Sequence, residues 1–311
     1  MHGVLIVDKP AGPTSHDVVA RVRRAIGISR IGHTGTLDPL ATGVLALVVG
    51  RATRLAQFLS SDEKQYVAGV RLGWATATYD AEERTVRGER NELIVQPPQR
   101  PAPAIGDAQI REALTGFVGS YAQLPPPFSA KKIGGTPAYL LARLQKDVEL
   151  KPAEVTVKAL ELTALDEGLA TLRIVCSSGF YVRSLAHDLG ERLGCGAHLE
   201  SLRRTRAGDF TVADATPLDV IMAEGLEALR RLLPLPSLLH KLPRVVVNAR
   251  GAKRAAHGNA LATEDLSEGD ASTLAATGNP GPVRVVDADG ALLAIGQMGR
   301  GGVLQPVVVL V

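Results

Sequence analysis

Residues Arg30 to Leu45 read R-I-G-H-T-G-T-L-D-P-L-A-T-G-V-L, and the rest of the chain is best understood outward from them. One acid, Asp38, sits among glycines, threonines and a single histidine, immediately ahead of an apolar run. Gly32, Gly35 and Gly43 open backbone conformations closed to other residues and let a bulky ligand approach the main chain. Asp38-Pro39 reads either as a turn or as a helix start, with the acid at the N-cap and proline at the first helical position. In the second case the acid merely caps. In either case a loop, not a solvated helix face, carries the carboxylate. Val44 to Val49 follows as a buried strand.

On the N-terminal side, Val4 to Val7 predicts a strand ending in the turn Lys9-Pro10-Ala11-Gly12-Pro13. Ser15 to Arg24 predicts a helix, with Val18, Val19 and Val22 on one side and arginines on the other. On the C-terminal side, Ala52 to Leu59 reads as a short helix. The alternation Tyr66, Ala68, Val70, Leu72 reads as a strand with Tyr66 at its start. Arg84 to Pro103 is charged, then proline-rich, and reads as an exposed insertion; Ile110 to Val118 is helical. Leu124 to Lys132 opens a proline-stiffened excursion that a helix from Pro137 to Leu144 closes. Val155 to Leu165 and Leu169 to Cys176 read as antiparallel neighbours joined at Glu167-Gly168. From Tyr181, Val182, Leu185, Leu189 and Leu193 form one helical stripe, which leaves Arg183 on a different face near the helix start. That end of a helix disfavours a cation, so Arg183 points to a local anion. Leu232 to Pro243 reads as a linker, and the Val- and Gly-rich remainder as a small β module.

The bulk properties fit this picture. The 311 residues suggest two domains, and the 45% apolar and 22% charged fractions are those of an ordinary globule. A formal net charge of +3 does not announce a nucleic-acid binder, but the distribution is uneven. Arg21, Arg23, Arg24 and Arg30, then Lys131-Lys132, then Arg203, Arg204 and Arg206 form basic clusters that suit a phosphate-binding face. Two cysteines exclude a disulfide framework, and no run approaches the ~20 apolar residues of a membrane helix. With no basic leader at the N-terminus, a cytoplasmic protein without membrane partners is expected. Cys195 and His198 lack a second pair at zinc spacing, and Gly32 to Gly35 lacks the lysine of a phosphate loop, so no metal or nucleotide cofactor is expected.

G-H-T-G-T-L-D-P-L-A-T-G closely resembles the catalytic-loop motif of the TruB-type pseudouridine synthases. G-V-L-I-V-D-K-P-A-G-P-T-S-H-D is similar to that family's first motif, and Lys64 to Gly73 to its tyrosine-bearing strand. Gly179 to Leu199 resembles its Tyr-x-Arg helix, with E-S-L-R-R-T-R following in register. The resemblance implies an α+β fold with a mixed, largely antiparallel central sheet and flanking helices. Residues 1–235 would form the catalytic domain, including an RNA-gripping excursion over about 124–150, and residues 243–311 a small PUA-like RNA-binding domain. It implies conversion of the T-loop uridine of tRNA, position 55, to pseudouridine by base flipping, without cofactor or metal. A monomer acting on the T-arm stem-loop is expected.

The same resemblance assigns roles. Asp38 is the nucleophile, or an anion that stabilises electron deficiency at the sugar; in a dry pocket it stays charged only when paired, and Arg183 is the expected partner. Tyr66 stacks on the target base and is a candidate proton acceptor. Tyr181 and Leu202 wall the uracil pocket, and His33 lies near the flipped nucleotide. Taken singly, Tyr66 and Tyr181 would read equally well as core or edge aromatics, Leu202 simply as core, and Lys9 as a turn residue. Lys131, Lys132, Arg143 and Arg203 are candidate RNA contacts. The pattern departs from the family at Phe128, where tyrosine is usual, and at Ala77, where an acid is common, leaving Asp80 as the matching carboxylate. Two alternatives keep the motifs: a guide-RNA-dependent, dyskerin-like synthase, and a non-catalytic tRNA-binding or tRNA-folding protein.

Overall fold

The computed structural model describes the chain apart from residues 61–62, 82–84, 88–92, 96–103, 129–131, 134–135, 138–149, 268–280 and 300–301. The loop of interest lies between β2 (Ile31–His33) and β3 (Thr42–Val49), and β1 (Gly3–Lys9) and α1 (Ser15–Ile26) precede it. Thr14 and Asp17 close a capping box at the start of α1, and Gly27 ends it at φ +65°. Its valines and Ile26 are buried, as their spacing demands.

β1 and β3 are near-continuous apolar runs because both of their faces are covered. Leu5, Val7, Leu45, Leu47 and Val49 feed one core, beneath α1. Val4, Ile6, Val44, Ala46 and Val48 feed a second core on the opposite face. Beyond β3, a 3-10 turn (Gly50–Leu55) runs into a short helix, α2 (Ala56–Ser60), where one helix over 52–59 was expected. Next come β4 (Lys64–Leu72), the paired β5 (Thr85–Arg87) and β6 (Leu93–Val95), α3 (Asp107–Thr115) and β7 (Gly119–Gln123). β8 (Lys132–Ile133) and β9 (Thr136–Pro137) pair with each other. The expected helix over 137–144 falls almost wholly outside the described residues.

β10 (Ala153–Asp166) and β11 (Leu169–Cys176) form the expected antiparallel pair. α4 (Val182–Arg192), β12 (Ala197–Ala207), β13 (Phe210–Thr211), β14 (Thr216–Pro217), α5 (Leu218–Glu224) and β15 (Leu233–Pro234) complete the larger part. The central sheet runs β14-β1-β3-β12-β4-β11-β10-β7, with β2, β13 and β15 attached at its sides. Among the described strand pairs of this sheet only β1–β14 and β12–β3 are parallel, so the sheet is mixed and largely antiparallel.

A four-stranded sheet follows: β16 (Arg244–Val246), β17 (Pro282–Val286), β18 (Leu292–Met298) and β19 (Leu304–Val309), with α6 (Ala249–Ala256) against it. The stretch expected to be a linker, 232–243, is instead packed. β15 pairs with Gly3 and Val4, and Leu238 and Leu239 are buried in the second core beside Val286, Ile295 and Leu310. Its leucines, which composition presents as a tether, glue the small sheet to the large one. Cys176 and Cys195 are both free thiols. Among the described residues no helix is long and apolar enough to cross a membrane.

Candidate active site

The Asp38-Pro39 dipeptide is a turn, not a helix start: Ala41 N–H donates to the Asp38 carbonyl at 3.0 Å. Three buried side chains reach into this loop and fix it. The Ser15 hydroxyl donates to the Leu37 carbonyl (2.9 Å) and accepts from the Leu37 N–H (2.8 Å). Arg204 donates to the carbonyls of Val44 (2.8 Å), Gly35 (3.1 Å) and Thr36 (3.4 Å). Gly43, at φ +99°, lets β12 come so close that a Cβ there would lie 2.2 Å from the Arg204 carbonyl oxygen. Backbone carbonyls this far inside need donors, and these side chains supply them.

Lys9 is the third. It is fully buried, and its ammonium donates to Ala41 (2.7 Å), Pro10 (3.0 Å) and Pro39 (3.2 Å) carbonyls. Burial drives its pKa from 10.5 down to about 8, a fall that the charge on Asp38 opposes and Arg204 reinforces. The folded value lies below the unfolded one, so the cost of holding this charge inside is present in full below about pH 8 and fades as pH climbs from there. Thermal melts should therefore show the wild type gaining on a Lys9→Met variant between about pH 8 and about pH 10. A difference that stays flat with pH would remove the buried ammonium from this account.

Asp38 faces α4. Arg183 Nη2 donates to Asp38 Oδ1 at 3.2 Å, and Nε lies 2.9 Å from Oδ2, in ion-pair contact though off the line of a hydrogen bond. The Arg183 side chain is 6% exposed and the Asp38 side chain 33%, so the pair has a buried base and an open carboxylate edge. A second acid grips the same guanidinium: Nη1 lies 3.5 Å from Asp80 Oδ2 and donates to the Thr78 carbonyl at 3.3 Å. Asp80, 4% exposed, also accepts from the Thr78 hydroxyl at 2.8 Å. The anion implied by a cation at the helix start is thus two carboxylates.

Around this pair lies a cavity of about 420 Å³, lined by Asp38, Tyr66, Tyr181, Arg183, Leu202 and Lys64 among others, within the ~300–1,000 Å³ of small-ligand pockets. Tyr66 comes from β4, with Arg204 as its cross-strand neighbour. Burial pushes its phenol above the usual range, against the pull of the Arg204 charge. Tyr181 precedes α4, and Gln123 holds its backbone on both sides, accepting from its N–H (2.8 Å) and donating to its carbonyl (3.0 Å). Leu202 looks in from β12, with its carbonyl held by the Thr42 hydroxyl at 3.3 Å.

His33 stands apart from these lining residues. It lies edge-on to His16, ring centroids 5.3 Å apart, and burial, then the charges of His16 and Arg204, push its pKa down. Lys131 and Arg143, and the side chain of Lys132, fall outside the described residues. Arg203 forms a two-pronged pair with Asp8, at 2.7 and 3.1 Å. Arg206 pairs with Glu63, which Lys158 also contacts at 2.8 Å. Of the run Arg203, Arg204, Arg206, expected to be a phosphate-binding face, Arg204 is buried on loop carbonyls, whereas Arg203 and Arg206 pair with acids and keep 42% and 31% of their side chains exposed. Alternation along β12 puts Arg203 and Arg204 on opposite faces, and the bulge between Arg204 and Arg206 turns Arg206 away from the side that Arg204 takes. Sequence reasoning missed Lys9, Ser15, Gln123 and Arg204 as supports, because each acts on a backbone brought near by the sheet.

Two family models match the chain. Residues 23–182 match "TruB family pseudouridylate synthase (N terminal domain)", and residues 183–240 match "tRNA pseudouridylate synthase B C-terminal domain". The tRNA pseudouridine synthase B of Solibacter usitatus is 42% identical over the full length of both chains. That of Thermobifida fusca is 43% identical, over 99% of this chain and 98% of its own. Among solved structures, a chain of a Cbf5–Nop10–Gar1 complex superposes with a TM-score of 0.73 at 25% identity, over 99% of this chain and 85% of that one. A chain of an H/ACA RNP bound to a substrate RNA superposes with a TM-score of 0.70 at 23% identity, over 99% and 85%.

Proposed function

The chain belongs to the TruB family of pseudouridylate synthases and isomerises uridine in tRNA to pseudouridine; we propose that its target is the T-loop uridine at position 55, flipped out of the stem-loop and attacked by Asp38. One observation carries the reading: a charged Asp38–Arg183 pair at 2.9 Å on the wall of a cavity that Tyr66, Tyr181 and Leu202 also line. Flipping costs a few kcal/mol, which stacking between apolar and aromatic walls offsets.

The Asp38 carboxylate attacks ribose C1′, the N1–C1′ bond breaks, and its electron pair leaves with uracil. The freed base turns between Tyr66 and Leu202, C5 bonds to C1′, and the carboxylate is expelled. The C5 proton is lost and one is returned to N1, so the net change is an isomerisation that needs no oxidant. Arg183 pairs with the Asp38 carboxylate and aims it before attack, and takes the charge back when the ester breaks. Burial keeps the Tyr66 hydroxyl protonated in the free enzyme. It accepts the C5 proton by passing its own onward, to water or to the released Asp38 carboxylate. Tyr66→Phe, which keeps the ring and loses the hydroxyl, should slow product formation by ~10²-fold or more with hairpin affinity unchanged. An unchanged rate would leave Tyr66 a wall and no more.

We further propose residues 1–235 as the catalytic unit and 243–311 as an RNA-contacting unit, with the protein acting as a monomer on the T-arm. The test is a T-arm hairpin tritiated at uracil C5, incubated with the purified protein alone. Tritium release is expected from this hairpin and not from one lacking the T-loop. Release only in the presence of a guide RNA would favour the guide-dependent reading, and binding without release the non-catalytic one.

A further inference from the structure

Tyr79 is one of three non-glycine residues at positive φ (+64°) among the described residues, and it adjoins Asp80. A side chain at such a φ is strained, and it persists where its surroundings over-determine it. What determines it here is a ring stack. Tyr79 lies flat on His187, centroids 3.8 Å apart and planes within 5°. His187 is four residues after Arg183 on α4, one turn along the same side of the helix.

The segment from Thr76 to Asp80 therefore holds α4 at two successive turns. At the first, the Thr78 carbonyl and Asp80 carboxylate take Arg183 Nη1 at 3.3 and 3.5 Å. At the second, the Tyr79 ring takes His187. Within the segment, the Thr76 hydroxyl donates to the Asp80 carbonyl (2.8 Å) and the Tyr79 N–H to the Thr76 carbonyl (3.3 Å). The Tyr79 carbonyl accepts from Leu199 N–H at 2.9 Å, tying the segment to β12. The Asp80 contact is the longest that Arg183 makes to a carboxylate, so it is the first that a small shift of this segment would break.

We propose that Tyr79, through its stack on His187, is a positioning residue for the reaction. It holds Asp80 and the Thr78 carbonyl against Arg183, and so fixes the face that Arg183 turns to Asp38. Neither Tyr79 nor His187 is among the residues that line the pocket. The proposal rests on the Asp38–Arg183 reading given above.

The experiment compares single-turnover rates on the T-arm hairpin with an NMR measurement of hydrogen exchange at Arg183 Nε–H. Tyr79→Ala and His187→Ala should each react about tenfold more slowly, as a misplaced catalytic group does, with hairpin affinity unchanged and faster exchange at Arg183. Tyr79→Phe and His187→Phe keep a ring and should match the wild type in both readouts. The double alanine variant should be no slower than either single, because both remove the same stack. Tyr79→Gly relieves the positive φ while losing the ring; it should melt above Tyr79→Ala yet react just as slowly. Alanine variants that melt lower but react at the wild-type rate, or phenylalanine variants that fail to rescue, would overturn the proposal. Asp38→Asn is run in parallel. Activity in that variant would defeat the active-site reading, while exchange at Arg183 would still report on the stack.

Discussion

Asp38→Asn should abolish pseudouridine formation while leaving the protein folded and bound to its RNA. The amide is nearly the shape of the carboxylate, and its oxygen can still accept from Arg183 Nη2, which now donates to Oδ1 at 3.2 Å. The buried guanidinium keeps a countercharge in Asp80, so neutralising residue 38 does not strand it. The loop itself is held through backbone carbonyls by Lys9, Ser15 and Arg204, none of which depends on the Asp38 side chain. What the substitution removes is the nucleophile. Loss of a covalent nucleophile is felt on a scale of about 10⁴-fold or more in turnover. Tritium release from the C5-labelled hairpin should therefore fall to background, with filter-binding affinity within a few-fold of wild type and a melting temperature close to it. A variant that still turns over would show that another group attacks the sugar.

How much of this could be read from residues alone differs between the fold and the site. Strands such as Val44–Val49 and Leu169–Cys176 announce themselves, because a run buried on both faces and a run half-buried have different periods. That Arg183 meets an anion was legible too, since a cation in the first turn of a helix calls for one; that the anion is Asp38 was implied only by the family resemblance, and Asp80 was not foreseen as a partner. The supports were not. Lys9 and Gln123 are polar residues that reach backbone 30 to 58 positions away, at Pro39 and Ala41 and at Tyr181, and no local pattern encodes such a meeting. Arg203, Arg204 and Arg206 look alike in sequence, yet pleating and neighbours give them an acid, three carbonyls and a different acid. The leucines of 232–243 misled for the opposite reason: prolines break the period, and only the second core gives those side chains a destination.

Arg183→Met should cost both stability and activity, and the two losses can be separated. Deleting one partner of a buried ion pair leaves an uncompensated charge, typically destabilising by about 3–5 kcal/mol. Here the more buried acid left behind is Asp80, 4% exposed, which would keep the Thr78 hydroxyl but lose the Arg183 guanidinium. Adding Asp80→Asn to Arg183→Met removes that charge, so the double variant should recover much of the melting temperature. It should recover none of the turnover, because Asp38 would still lack the guanidinium that pairs with it and aims it. Arg183→Lys distinguishes charge from shape. An ammonium is a single point of charge on a flexible stem, whereas the guanidinium fork reaches Asp38 with one side and Asp80 and Thr78 with the other. Lysine should thus fold well and still react ~10²–10³-fold more slowly, the scale set by loss of one preorganised donor. If lysine restores full turnover, charge alone suffices and the two-sided grip on Arg183 is dispensable. If the double variant stays as unstable as Arg183→Met, the buried Asp80 charge is not what the arginine compensates.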